Sequence, residues 1–307
     1  MDGEFDADAY VTLRSGARMP RVGFGTAGLG DRTALSVGAA LAAGYRLLDS
    51  AQAREWYRED LVGAALEATA LPRESVFVTT KIHPRHLGYA PTAERVAVSL
   101  RELRTRHVDL LLLHYPACWG DLCGGDTPAG TWRDSWRALE AAKAAGQARA
   151  LGVSNFDAAQ LRELLQWAKE PPDVVQAHSD PFSQARPPAF SLLAPVHSLT
   201  RSVMAQNREL QRVCAEHGVV FQAYSSLGLQ WWGAGYRRNP VLHAPVVEAA
   251  SVAHRVTPAQ VVLRWALHRG QASDIGLIDR PGTCGALTRA RLRSASFPRP
   301  PTRSTCA

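Results

Sequence analysis

Eight short apolar runs recur along this chain: Val22–Phe24, Arg46–Leu48, Val76–Val78, Val108–Leu113, Ala148–Val153, Val174–Gln176, Val219–Tyr224 and Ile275–Ile278. Most are separated by a stretch with helical periodicity. Val96, Leu100 and Leu103 fall at i, i+4 and i+7, and Leu161, Leu164 and Leu165 at i, i+3 and i+4, spacings that place each set on one helix face. Strands alternating with helices imply βαβ units and a parallel sheet. Strands of such a sheet are covered on both faces and read as continuous apolar runs, as Val-Asp-Leu-Leu-Leu-Leu-His does at 108–114. Eight of them predict an α/β fold of one kind, a closed (β/α)8 TIM barrel.

Smaller signals fit that frame. Thr257-Pro258-Ala259-Gln260 reads as an N-cap, a proline at the first helical position and a capping-box glutamine, and Asp157 with Gln160 repeats the form. Gly270 offers a C-cap to the helix begun at Pro258. Ahead of the first strand, Tyr10–Pro20 with Ser15-Gly16 at its centre predicts a β-hairpin plugging the barrel floor. Ala117–Gly130, rich in glycine, and Phe182–Ala205, which carries prolines, are expected as loops at the mouth. Residues 1–279 are expected to form the barrel, with its last helix missing. Residues 280–307, with six arginines and no acidic residue, are expected as a disordered basic tail.

The length of 307 residues suits a single barrel domain that needs neither disulfides nor a metal to be stable. A net charge of +7 invites a nucleic-acid reading until it is located. Residues 1–279 carry 29 basic and 28 acidic groups, so the excess lies almost wholly in the last 28 residues. No nucleic-acid partner is expected for the barrel. No apolar run is long enough for a membrane span, and the acidic start MDGEFDADAY resembles neither a secretory signal nor a transit peptide. The five cysteines form no C-x-x-C pair and lack a zinc pattern, so free thiols, a cytoplasmic location and no bound metal are expected.

The informative feature is what ends each strand. Barrel chemistry sits where the C-terminal strand ends converge on one mouth. Here Asp49, Lys81, His114, Ser154 with Asn155, Gln176, and Tyr224 with Ser225 occupy those ends. Only three lysines occur in the chain, so one closing an apolar strand, as Lys81 does, is informative. A buried charge costs several kcal/mol unless it is paired.

At these residues the chain resembles the aldo-keto reductases, from about Met19 to Gly270. The matching motifs are Met-Pro-Arg-Val-Gly-Phe-Gly-Thr (19–26), Asp49-Ser-Ala, Tyr57-Arg-Glu59-Asp-Leu-Val-Gly63, Thr80-Lys81 and Leu113-His114-Tyr-Pro116. Gly152-Val-Ser-Asn-Phe156, Ala223-Tyr-Ser-Ser-Leu-Gly228 and Thr257-Pro-Ala-Gln-Val-Val-Leu-Arg-Trp265 continue the series. The resemblance implies an oxidoreductase that reduces an aldehyde or ketone to an alcohol with NADPH. It implies Tyr57 as proton donor, Lys81 stabilising its phenolate, Asp49 paired with Lys81, and His114 polarising the carbonyl. It further implies Ser154, Asn155 and Gln176 on the nicotinamide carboxamide and Tyr224 stacked on the ring. Gly25 and Thr26 would lie beside that ring, and Ser225 and Leu227 near the pyrophosphate. Tyr115 and Trp56 would touch substrate, with Trp119, Trp231 and Trp232 in mouth loops. A small carbonyl compound is the expected partner, and a monomer the expected state.

Two departures qualify the likeness. The family places its tyrosine five residues after the aspartate, where this chain has Arg54, whereas Tyr57 stands eight residues on. A three-residue insertion restores the match, and Tyr57 is taken as the donor. After Gly270 the family's adenosine-phosphate-gripping segment is not recognisable, with Arg280 a substitute for at most one contact. That loss keeps open an alternative: a catalytically impaired or regulatory nucleotide-binding barrel. A second alternative is a Rossmann dehydrogenase, because Gly23-Phe-Gly25-Thr-Ala-Gly28 matches G-x-G-x-x-G with Asp49 about twenty residues on. The short polar strand before it, with Pro20 inside, favours the first turn of a barrel instead.

Overall fold

The chain enters through the expected hairpin, β1 (Tyr10–Thr12) antiparallel to β2 (Arg18–Pro20). The computed structural model describes residues 9–181, 208–228 and 238–276. Eight parallel strands follow the hairpin: β3 (Val22–Gly25), β4 (Leu47–Asp49), β5 (Phe77–Ile82), β6 (Val108–Leu113), β7 (Ala148–Ser154), β8 (Val174–His178), β9 (Val220–Tyr224) and β10 (Ala272–Gly276). β10 pairs with both β3 and β9, which closes the sheet into a barrel. Around it lie α1 (Thr33–Ala42), α2 (Glu59–Ala68), α3 (Tyr89–Glu102), α4 (Trp132–Ala144), α5 (Ala158–Trp167), α6 (208–216), α7 (Pro245–His254) and α8 (Pro258–His268). The (β/α)8 architecture read from the sequence is therefore the one observed.

Strand alternation sorts the core into two layers. Leu47, Phe77, Leu110, Leu112, Ala150 and Val174 point into the barrel, where Leu13 and Met19 of the hairpin close the floor beneath them. Leu48, Val78, Ile82, Leu111, Leu113, Leu151 and Val153 point outward and pack on the helices. Both expected capping boxes form, Asp157 with Gln160 and Thr257 with Gln260, and Thr131 with Asp134 adds a third at the start of α4.

One of the glycines that matched a dinucleotide fingerprint belongs to this packing. Gly23 lies in β3, and a Cβ there would collide with the Leu47 side chain inside the barrel. The closed sheet excludes the Rossmann alternative.

The last strand runs over Ala272–Gly276 rather than Ile275–Ile278. Cys118 and Cys123 are joined in a disulfide, with Cα atoms 5.8 Å apart, so they are not the free thiols expected. The proline-bearing insertion, Trp231 and Trp232, the final helix and the basic tail lie outside the described residues. Among the described residues no helix is long and apolar enough to cross a membrane. A cavity of about 670 Å³ opens on the floor beneath the hairpin, lined by Arg18, Arg46, Phe77 and Arg149 among others, at the end opposite the polar strand ends.

Candidate active site

Parallel register brings the strand-end residues to one level. Gly25 lies opposite Asp49, Asp49 opposite Thr79, and Ser154 opposite Gln176. Lys81 shares the inward face of β5 with Thr79 and Phe77, two and four residues below it, so its ammonium rises through the barrel toward the mouth.

Lys81 is 1% exposed and Asp49 2%, and the two form a buried ion pair. Lys81 Nζ also donates to the Ser50 carbonyl at 2.9 Å, and Gln176 Nε2 donates to the other Asp49 oxygen at 2.7 Å. Both charges are thus compensated, the condition under which such burial is tolerated. Thr26 fixes the Asp49 backbone, its N–H and hydroxyl both donating to the Asp49 carbonyl at 2.9 and 3.0 Å.

Tyr57 reaches this pair from the β4–α2 connection. Its N–H donates to the Ala53 carbonyl, and the carbonyl of the preceding Trp56 accepts from Gly28, which pins the turn under the first barrel loop. The Tyr57 ring centroid lies 5.2 Å from Lys81 Nζ and 6.1 Å from the His114 ring, edge-on at 71°. Arg54, at the spacing usual for the family's tyrosine, is half-exposed and bound to Asp60 and Glu102 instead. The structure thus brings Tyr57, not Arg54, beside the lysine. Trp56, expected to touch substrate, is 45% exposed and has no ring contact with this cluster.

His114 follows β6 and is buried; burial, then the nearby Lys81 charge, then His83, holds its pKa well below the usual histidine range. It is a neutral imidazole at physiological pH. Among the described residues its Nδ1 has no hydrogen-bond partner. His83 donates from Nε2 to Glu55 at 3.0 Å while its Nδ1 accepts from the Arg85 N–H, so it too is neutral and serves the loop. Tyr115 stacks on His114 at 4.8 Å, and Trp119 meets Tyr115 edge-on at 4.7 Å. Burial pushes the Tyr115 phenol up to about 12, which makes it a worse acid than an ordinary tyrosine. The disulfide brackets Trp119 and so closes the loop that carries this aromatic wall.

The other side of the mouth is polar. Asn155 adopts a left-handed φ of +59°, donates to the His114 carbonyl at 3.0 Å and to Ser154 Oγ at 3.1 Å, and accepts from Tyr224 OH at 2.8 Å. Ser225 is also left-handed, at +53°, and turns the chain away after β9; Gly228 closes that turn onto its carbonyl. Leu227 packs beside Val241, Val247 and Val262 under α7 and α8, and its carbonyl accepts from Asn239 at 2.7 Å. Asp49, Tyr57, Lys81, His114, Ser154, Asn155, Gln176 and Tyr224 therefore share one mouth, with Gly25 and Thr26 at its edge.

One residue had no role in the sequence reading. Glu59, first in α2 and 2% exposed, accepts from the hydroxyls of Thr80 and Ser99. Its signal was present as an acidic residue four before a glycine in the Tyr57–Gly63 motif.

Comparison with known proteins is consistent with this geometry. The model of the aldo/keto reductase family matches residues 21–282. An aldo-keto reductase of Mycolicibacterium vanbaalenii is 35% identical over 261 residues, 85% of this chain and 78% of that protein. One from Mycobacterium tuberculosis is 33% identical over 275 residues, 89% of this chain and 83% of that one. The crystal structure of an aldo/keto reductase from Brucella melitensis superposes with a TM-score of 0.73 at 26% identity, covering 93% of both chains. An aldo-keto reductase from a Medee basin deep-sea metagenome library gives 0.73 at 25% identity, covering 94% and 91%.

Proposed function

This chain belongs to the aldo/keto reductase family, and from that premise we propose that it reduces a small aldehyde or ketone to the alcohol with NADPH, Tyr57 giving the proton. The observation that carries the proposal is the grouping of Tyr57 with a paired, buried Lys81 and a neutral His114 at the C-terminal end of the barrel.

The residues at the mouth fit a nicotinamide. Ser154 and Asn155 at the end of β7 and Gln176 beside them in β8 are buried polar side chains, and the half-buried Tyr224 ring borders them. They would hold the carboxamide and the ring face, with Thr26, Ser225 and Leu227 alongside. When bound, the reduced nicotinamide supplies the hydride.

The chain's own residues then manage the proton. A phenol with an ordinary pKa near ~10 is a weak acid at neutrality, so its phenolate must be stabilised as the proton leaves. The Lys81 ammonium does this from beside the ring, and Asp49 keeps that ammonium charged and aimed. His114, being neutral, hydrogen-bonds the carbonyl oxygen without adding a positive charge that would compete with Lys81. Proton donation from a positioned acid of this sort contributes ~10²–10⁴ in rate.

The test pairs two measurements on the full chain. NADPH should bind saturably, followed by quenching of tryptophan fluorescence, and its absorbance should fall when 4-nitrobenzaldehyde is added. Binding without consumption would favour the regulatory, non-turning-over barrel. Absence of binding would overturn the cofactor assignment.

A further inference from the structure

Behind the mouth, on the outer face of the barrel wall, lies a buried polar network that the chemistry above does not use. Its centre is Glu59. One carboxylate oxygen accepts from Thr80 Oγ1, and the other accepts from Ser99 Oγ at 2.9 Å. Ser99 Oγ in turn accepts from Gln52 Nε2 at 2.9 Å, and Gln52 Oε1 accepts from the His83 N–H at 3.3 Å. The backbone continues the links: Gln52 N–H donates to the Lys81 carbonyl at 3.1 Å, and Ser50 N–H to the Thr79 carbonyl at 2.9 Å.

The members of this network sit next to the residues that matter. Thr80 adjoins Lys81, Gln52 is three residues beyond Asp49, and Glu59 is two beyond Tyr57. Thr80 points outward from β5 while Lys81 points inward, so Glu59 grips from behind the strand that presents the ammonium in front. Gly63, one turn along α2, is what allows the grip. A Cβ there would collide with the backbone at Glu102 and Leu103, so its absence lets α2 close on α3 and brings Glu59 to Ser99. A carboxyl this buried is costly, and a fold that needed only a helix start could use a neutral cap.

We propose that Glu59 is a positioning residue, acting through Thr80 and Ser99 to fix the Tyr57 phenol against the Lys81 ammonium. This rests on the proton-donor assignment of Tyr57. Glu59 touches neither substrate nor cofactor site; it locks the segments bearing Asp49, Tyr57 and Lys81 to one another. Loosening the lock should let the phenol drift from the ammonium, which weakens the stabilisation of the phenolate.

The experiment reads that directly. Tyr57 ionisation is followed as the ultraviolet difference between each protein and the same protein carrying Tyr57→Phe, so that no turnover is required. In Thr80→Val, which keeps the side-chain shape, and in Glu59→Ala, the Tyr57 pKa should rise by about half a unit or more, and Glu59→Gln should recover part of the shift. In aldehyde reduction kcat should fall about tenfold with KM for NADPH within about twofold, as expected when only transition-state geometry suffers. Wild-type Tyr57 ionisation in Thr80→Val, with cooperative melting retained, would overturn the proposal whether or not Glu59→Ala folds. An inactive wild-type chain would instead count against the proposed function, while the ionisation data still decide the role of Glu59.

Discussion

Lys81 is the side chain with most at stake in its surroundings. Replacing it with methionine removes one half of a buried pair and leaves the Asp49 carboxylate with Gln176 as its remaining side-chain donor. Lys81→Met should cost ~3–5 kcal/mol of unfolding free energy, and adding Asp49→Asn should restore much of it, because uncompensated buried charge and not lost packing is the penalty. Urea unfolding of the single and double variants checks this; equal stabilities would show that the pair is solvated. The strand-end residues themselves were legible, since each terminates an apolar run on its own strand. What lies across the lumen was not. Gln176 was expected on the cofactor carboxamide, and its Nε2 is found on Asp49, a contact spanning 127 residues that no local periodicity reports. Glu59 escaped for the same reason: its partners Thr80 and Ser99 are 21 and 40 residues away.

At the scale of elements, the approach of α2 to α3 sets the spacing behind the site, and a pair of glycines tests it. Gly38 lies in α1 with open space where a Cβ would go, so Gly38→Ala should stabilise by ~0.5–1 kcal/mol through helix propensity alone. Gly63→Ala gains the same propensity but meets the α3 backbone, and should be destabilised by ~1–3 kcal/mol. Chemical denaturation giving both the same sign would mean the helices do not meet at Gly63. Elements that announce themselves by period or cap were readable in advance, as the three-residue strands of the hairpin and the boxes at Asp157 and Thr257 show. The closing strand was displaced because it carries polar residues that its neighbours satisfy. Ser273 shares a hydrogen bond with Ser226, and Gln271 accepts from Ser179, so an apolar pattern is missing where the barrel closes.

Over the whole molecule, near-balance of charge in residues 1–279 leaves pH acting through individual buried groups. Burial pushes Glu59 up to about 7 against its hydrogen bonds from Thr80 and Ser99, with Glu102 raising it further and Arg54 lowering it. The native state holds that proton more tightly than the unfolded chain, so this contribution is complete below about pH 4.5 and is lost as the pH rises through 7. His114 and His86, the latter pushed down to about 4, act oppositely: their contributions are present above about pH 6.5 and are lost on acidification. The two trends offset each other in the wild type between these limits. Glu59→Gln should therefore gain stability over the wild type as the pH is raised from below 4.5 to above 7, on the order of 3 kcal/mol in unfolding free energy. Parallel stability curves would mean that Glu59 titrates normally. In the proposed reduction the mouth of this barrel delivers a proton from Tyr57 to the carbonyl oxygen of the substrate. The most direct test of that delivery is Tyr57→Phe, which deletes one oxygen: NADPH consumption with 4-nitrobenzaldehyde should fall by ~10² or more while NADPH still quenches tryptophan fluorescence as in the wild type, whereas undiminished consumption would contradict it.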